Sequence, residues 1–468
     1  MSQDFISYIS KYLVFASLLI SLNAFSQKSP KLVIGIVVDQ MRQDYLFRFQ
    51  DKMGDDGFRK LMRDGAYFKN AHYNYVPTYT APGHASIYTG TTPSNHGIIG
   101  NDWFSRKSGL MTYCVSDTSV KAVGGSRRAG QMSPHKLQST TITDELALTT
   151  NFKAKIVGVS IKDRGAILPA GHAANAAYWF ESSTGNFISS TYYMEELPQW
   201  LIAFNNERKV QQYLNEKWET LLPINQYVHS TPDDVPYERA FQDSSKPTFP
   251  YDLRRLQKKK GPGLIRTTPF GNSLIVDLAI AALQGEQMGE DEVTDFLTVS
   301  FSSTDYVGHA FGPYSIELED TYLRMDMEIA RLLDFLDDYC ASEYLVFLTA
   351  DHGVAPVPLF LTDNQLPGGY SSSKAVRDMV ETFLKKEYGD FDWVRNLSND
   401  QIFLDHQLMV EQGVDVADMQ QKIVNYLLTF PMISETYAAS ELRMRNANSR
   451  VKRLFENGFN STLSGDIA

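Results

Sequence analysis

KLVIGIVVD, residues 31–39, is an unbroken apolar, β-branched run that stops at a carboxylate. A strand without alternation is buried on both faces, as in parallel sheets covered by helices. Two further runs repeat the pattern: FLTVSF (296–301) leads into SSTD, and YLVFLTA (344–350) leads into DHG. Helical periodicity lies between them. Leu318, Tyr322, Met325, Ile329, Leu332 and Leu336 form one stripe within 315–339. NSLIVDLAIAAL (272–283) and SSSKAVRDMVETFLKKEY (371–388) also read as helices. Strand, helix, strand with polar residues at the strand ends predicts an α/β fold with a mostly parallel central sheet flanked by helices. Residues 170–265 are aromatic, contain prolines and end in the basic stretch RRLQKKKGPG, which reads as a solvated loop. They are expected to form an inserted cap rather than a sheet repeat. The chain then divides into a signal (1–26), a first α/β part (27–169), the insertion (170–265) and a second α/β part (266–468).

Of the 468 residues, 43% are hydrophobic and 21% charged, enough for a large core and too ordered a composition for global disorder. Lys plus Arg number 44 and Asp plus Glu 55, so the net charge is 44 − 55 = −11. Such a chain lacks the cationic field of a general nucleic-acid binder, and any phosphate it handles must be held by local cations. Two cysteines, Cys114 and Cys340, exclude a disulfide scaffold and a Cys-rich zinc module but leave one bridge open. YLVFASLLI (12–20), with Lys11 before it and Ala24 and Ser26 after it, fits a secretory signal cut near Ser26–Gln27. A buried N-terminal helix is the alternative. Export implies a secreted or periplasmic protein. No later stretch approaches 18 unbroken apolar residues, so no stable membrane insertion is expected.

Four segments concentrate metal-ligand residue types: VVDQ with Asp39, PTYTAPGHAS around Thr80, STDYVGH with Asp305 and His309, and ADHG with Asp351 and His352. Carboxylates with imidazoles suit zinc when thiolates are absent. Each residue alone has a plain structural reading, as a turn residue or a satisfied histidine. Three carboxylates at the ends of three strands, two with a histidine nearby, point to a shared metal site. Pro82 fits a first helical turn, which puts Thr80 at a helix N-terminus where negative charge is favoured. Thr80 is then either an N-cap or a nucleophile, with Thr78 and Ser86 as competing hydroxyls. His84 and His96 lie in Gly-rich turn regions and read as structural.

PTYTAPGHASIYTGTTPSNHGIIGNDWF (77–104), STDYVGHAFGP (303–313) and ADHGVA (350–355) resemble the alkaline phosphatase superfamily. The branch is that of the type I phosphodiesterases and nucleotide pyrophosphatases, and within it the PafA-like alkaline phosphatases. The resemblance runs from about residue 31 to the end. It implies zinc-dependent hydrolysis of small phosphate monoesters through a phosphothreonine at Thr80. It implies two zinc ions: one among Asp39, Thr80, Asp351 and His352, the other at Asp305 and His309. Asn101, in IIGNDWF, and Lys162 and Arg164, in SIKDRGA, would hold the phosphoryl oxygens. A monoester carries a second negative charge that cationic donors can meet, whereas a diesterase would use apolar surface instead. A phosphodiesterase or nucleotide pyrophosphatase is the enzymatic alternative, and an inactive zinc- or phosphate-binding homologue the other. The family gives the second zinc a third ligand, a later histidine. Only His406 follows His352 here, after the strand-like QIFLD, so the sequence reads as truncated at its C-terminus and its second zinc site as weak.

Overall fold

The computed structural model describes residues 29–241 and 246–468. The proposed signal segment lies outside the described residues. Seven strands form the central sheet: β1 (Leu32–Val38), β2 (Ala122–Val123), β3 (Ile156–Ser160), β4 (Ala176–Glu181), β5 (Asn186–Ser190), β6 (Asp295–Phe301) and β7 (Tyr344–Ala350). Their order is β7-β1-β6-β3-β4-β5-β2. The first five in that order are parallel, and β5 and β2 join antiparallel. The fold is thus the expected mostly parallel sheet.

Within β1 the two-residue period sends Leu32, Ile34, Ile36 and Val38 into the larger core and Val33 and Val37 into a smaller one. The larger core is roofed by α3 (Phe270–Gly285) and α5 (Ile316–Tyr339), whose Met325, Ile329, Leu332 and Leu336 are buried as the stripe requires. The opposite face carries α1 (Thr80–Thr89) and α2 (Asp163–Ala170). Close approach there depends on small residues. A Cβ on Gly158 of β3 would lie 2.2 Å from the Ala166 carbonyl oxygen of α2.

The sheet continues past residue 170. β4 and β5 fall inside the segment assigned to the insertion, and β4 pairs in parallel with β3. The chain beyond β5 does leave the sheet, but it shares the main core: Leu201, Phe204, Trp218, Tyr251 and Leu256 are buried in it. The basic stretch expected as a loop is a helix, Leu253–Lys260, because Leu253 and Leu256 anchor one side while its cations face solvent. Residues after about 370 do not extend the sheet. α6 (Ser373–Tyr388), the hairpin β8 (Val394–Ser398) and β9 (Gln401–Leu404), and α7 (Val416–Leu427) surround a core of their own, with Trp393, Ile402, Met419 and Ile423. Cys114 and Cys340 are both buried free thiols, so the open bridge is not formed.

Candidate active site

Four adjacent parallel strands, β7, β1, β6 and β3, end on the same edge of the sheet. Their next residues are Asp351 and His352 after β7, Asp39 after β1, the segment leading to Asp305 after β6, and Lys162 shortly after β3. Helix α4 (Ser303–Phe311) starts just beyond β6 and carries Asp305 in its first turn and His309 one turn later. The i,i+4 spacing puts Asp305 Oδ1 3.1 Å from His309 Nε2.

Asp39, Asp351 and His352 offer ligand atoms within 4.8 Å of one another. Asp39 Oδ1 lies 3.4 Å from His352 Nε2. Asp39 Oδ1 and Asp351 Oδ2 are buried and make no hydrogen bond, so each presents a lone pair that the fold leaves unused. Two such oxygens beside an imidazole fit a bound metal ion. Asp351 is held well below the usual carboxylate range, at about 2: burial opposes ionisation but His352, His84 and Lys162 outweigh it. His352 is pushed up to about 10, since the attraction of Asp351 and Asp39 exceeds the cost of burial.

Thr80 is buried, and its neighbour is Lys162, whose Nζ lies 3.4 Å from Thr80 Oγ1. The same ammonium is 2.7 Å from Asp39 Oδ2 and 2.6 Å from Asp305 Oδ2. Burial lowers the pKa of Lys162, but the two carboxylates overcome it and the net shift is upward. The reading of Thr80 as an N-cap is corrected: Tyr79 occupies the cap position and Thr80 is the first helical residue. Its hydroxyl is therefore free of a capping bond. Ser86 is no competitor, because its Oγ bonds His96 Nε2 at 2.9 Å.

Asn101 accepts a hydrogen bond from the Ala81 backbone N–H at 2.9 Å, which fixes the orientation of its amide at the N-terminal end of α1. Arg164 is tied by Nη1 to the Tyr113 hydroxyl at 3.0 Å, while its buried Nε has no partner. Tyr113 also donates to Asp163. Burial depresses Arg164, and Tyr113, Cys114 and Asp163 more than reverse it.

His406 is elsewhere, in the C-terminal unit, with Nε2 2.7 Å from Asp466. Among the described residues Asp305 and His309 gain no third histidine or carboxylate in a group of the kind formed by Asp39, Asp351 and His352. His96 is structural, buried and pushed down to about 3. His84 is less remote than its local sequence suggests. Its Nδ1 donates to the Thr80 carbonyl at 2.8 Å, 3.3 Å from Asp351 Oδ2, and its Nε2 meets Ser300 Oγ at 2.9 Å.

Gln40 escaped the sequence analysis. Its side-chain amide donates to Asp305 Oδ1 at 2.8 Å and its backbone N–H to Asp351 Oδ1 at 3.1 Å. Its backbone sits in the left-handed region at φ 65°, and the sequence carries no sign of this beyond its place next to Asp39. Tyr306 also escaped: its ring lies 5.0 Å from both Lys162 Nζ and the Arg266 guanidinium.

Residues 33–370 match the family model described as type I phosphodiesterase / nucleotide pyrophosphatase. The chain belongs to that family. Among curated members, alkaline phosphatase PafA of Elizabethkingia meningoseptica is 46% identical over 441 residues, 94% of this chain and 80% of the relative. Alkaline phosphatase PhoV of Synechococcus elongatus is 44% identical over 441 residues, 94% of this chain and 79% of the relative. A protein of Myroides odoratus named calcium-transporting ATPase is 45% identical over 443 residues, 94% and 81% of the two chains. The crystal structure of wild-type PafA superposes with a TM-score of 0.90 at 45% identity, covering 94% of this chain and 84% of that one. This type I phosphodiesterase / nucleotide pyrophosphatase member therefore has the PafA-like fold.

Proposed function

We propose that the protein is a phosphoric monoester hydrolase, an alkaline phosphatase, that works through a phosphothreonine at Thr80 and two zinc ions. The observation that carries the reading is the meeting of Thr80, Lys162, Asp39 and Asp305 within a few ångströms at the ends of neighbouring strands. The phosphatase names of two relatives support the reaction class.

Asp39, Asp351 and His352, with Thr80, would hold one zinc, and Asp305 and His309 the other. When bound, the metals supply Lewis-acid stabilisation of charge on the attacking and leaving oxygens. The chain's own groups do the positioning. Thr80 Oγ1 attacks phosphorus, and the Thr80–phosphorus bond forms as the ester oxygen leaves. Water then hydrolyses the phosphothreonine. The Asn101 NH₂, the Arg164 fork and the Lys162 ammonium meet the non-bridging oxygens. The burial of Lys162 and Thr80 limits water around them and strengthens each charge interaction.

Two cations for the phosphoryl group favour a dianionic monoester over a diester. The transport in the Myroides relative's name draws no support here: among the described residues no helix is long and apolar enough to cross a membrane. The leader-like residues 12–26 favour a secreted or periplasmic location. The test is a matched panel of an aryl phosphate monoester and its methyl diester, assayed with zinc and with chelator. A metal-dependent preference for the monoester that Arg164→Ala abolishes is expected. Diester preference, or a preference indifferent to Arg164, contradicts the proposal.

A further inference from the structure

Lys162 joins the two candidate metal-binding groups. Its ammonium takes Asp39 Oδ2 on one side and Asp305 Oδ2 on the other. The remaining oxygens of these carboxylates differ. Asp39 Oδ1 has no close hydrogen-bond partner and lies 3.4 Å from His352 Nε2, another candidate ligand, whereas Asp305 Oδ1 already accepts from Gln40 and faces His309. Asp39 can therefore engage a cation through Oδ1 with Lys162 still on Oδ2. Asp305 Oδ1 has one lone pair left beside the Gln40 bond, and it faces His309, so full engagement of Asp305 by a cation draws on the Oδ2 that Lys162 holds. A divalent ion beside Asp39 or Asp305 also repels an ammonium held at such short range, in surroundings too buried for water to screen the repulsion.

We propose that Lys162 is an exchangeable placeholder. It neutralises the Asp39–Asp305 pair, and metal loading displaces it from the two carboxylates toward the Tyr306 ring, where it becomes available to the phosphoryl group. The step is an exchange of ionic partners in which no covalent bond changes. Little travel is needed, because Nζ is already 3.4 Å from Thr80 Oγ1. The Tyr306 ring, 5.0 Å from Nζ, gives the released charge an apolar seat that still attracts a cation. Assembly of the phosphate site is in this way coupled to metal occupancy. The inference rests on the dizinc reading above and adds the role of Lys162 in loading.

Zinc affinity, measured by competition with a chelating indicator, tests it in the wild type and in Lys162→Met. Removing the competing ammonium should tighten zinc binding by roughly tenfold. The chelated variant should melt several degrees below the chelated wild type, with zinc narrowing the gap. Unchanged or weaker zinc affinity in the variant overturns the proposal. Should the variant fail to fold, wild-type protein gives an independent readout: acetylation of Lys162 by an amine-reactive ester, quantified by peptide mass spectrometry. Labelling should rise when zinc is added to chelated protein, and equal or lower labelling overturns the exchange. Wild-type protein that takes up no zinc would sink the metal reading itself. Zinc uptake with an indifferent Lys162 would sink only the placeholder.

Discussion

Arg164 presents its guanidinium through a relay: Asp163 accepts from Tyr113, and Tyr113 accepts from Arg164 Nη1. Arg164→Ala should cut monoester turnover by roughly a hundredfold and diester turnover far less, measured as kcat/KM on matched substrates. Tyr113→Phe keeps the ring but frees the guanidinium. A smaller loss is expected, about tenfold, carried mostly in KM for the monoester. The residue types of the site were legible because a carboxylate at the end of a buried strand, repeated three times with histidines, has few other uses. Lys162 between Asp39 and Asp305 was not legible. That contact depends on β3 lying beside β6 and β6 beside β1, and strand order leaves no local mark on the sequence. Gln40 was hidden for the same reason, since its partners are more than two hundred residues away.

Helix α1 reaches the end of β7 through Gly83, where a Cβ would lie 2.3 Å from the Asp351 carbonyl oxygen. Gly83→Ala forces helix and strand apart. It should destabilise the fold by about 2 kcal/mol or more in urea unfolding and weaken zinc binding, because Thr80 and Asp351 separate together. Farther along, His172 Nδ1 lies 3.1 Å from Asp144 Oδ2 and helps fasten the turn after α2. The hydrogen bond to Asp144 raises the His172 pKa, ahead of the opposing effect of burial. A raised histidine stabilises the fold fully below its unfolded value of about 6.5 and loses that contribution as pH climbs through the folded value. The urea midpoint of His172→Ala should therefore trail the wild type more at about pH 5.5 than at about pH 9. A constant gap would remove the charge from this contact. At this scale the long apolar strands and amphipathic helices were readable from periodicity. β4 and β5 were not, because Trp179, Phe180 and Phe187 in short aromatic runs resemble a cap as much as a strand.

Across the whole molecule, the described residues leave β7 at one margin of the sheet, with β1 on its only paired side. Leu345 on that strand is 55% exposed, although YLVFLTA reads as a fully buried run. An apolar margin with free backbone donors and acceptors templates pairing between chains. Leu345→Lys should lower light scattering of concentrated protein while leaving zinc affinity as it was, since the side chain lies at the end of β7 remote from Asp351. Within the second α/β part assigned to residues 266–468, the residues after about 370 close a core of their own around Trp393 and Ile402. This C-terminal unit meets the rest of the molecule through polar and aromatic contacts, among them Arg106 with Asp466, Asn399 with the Asp102 carbonyl and the Phe104 ring with Phe403. Helix propensity announced α6, but propensity does not reveal which core a helix will join.

Catalysis by this route requires Thr80 to carry the phosphoryl group between substrate and water. Zinc-loaded protein turning over an aryl phosphate, quenched in acid within milliseconds and digested, should yield a peptide spanning Thr80 with one added phosphoryl at that threonine. Thr80→Ala should lose the adduct and at least about a thousandfold in turnover. Wild-type turnover without any Thr80 adduct, or an undiminished rate in Thr80→Ala, would contradict it.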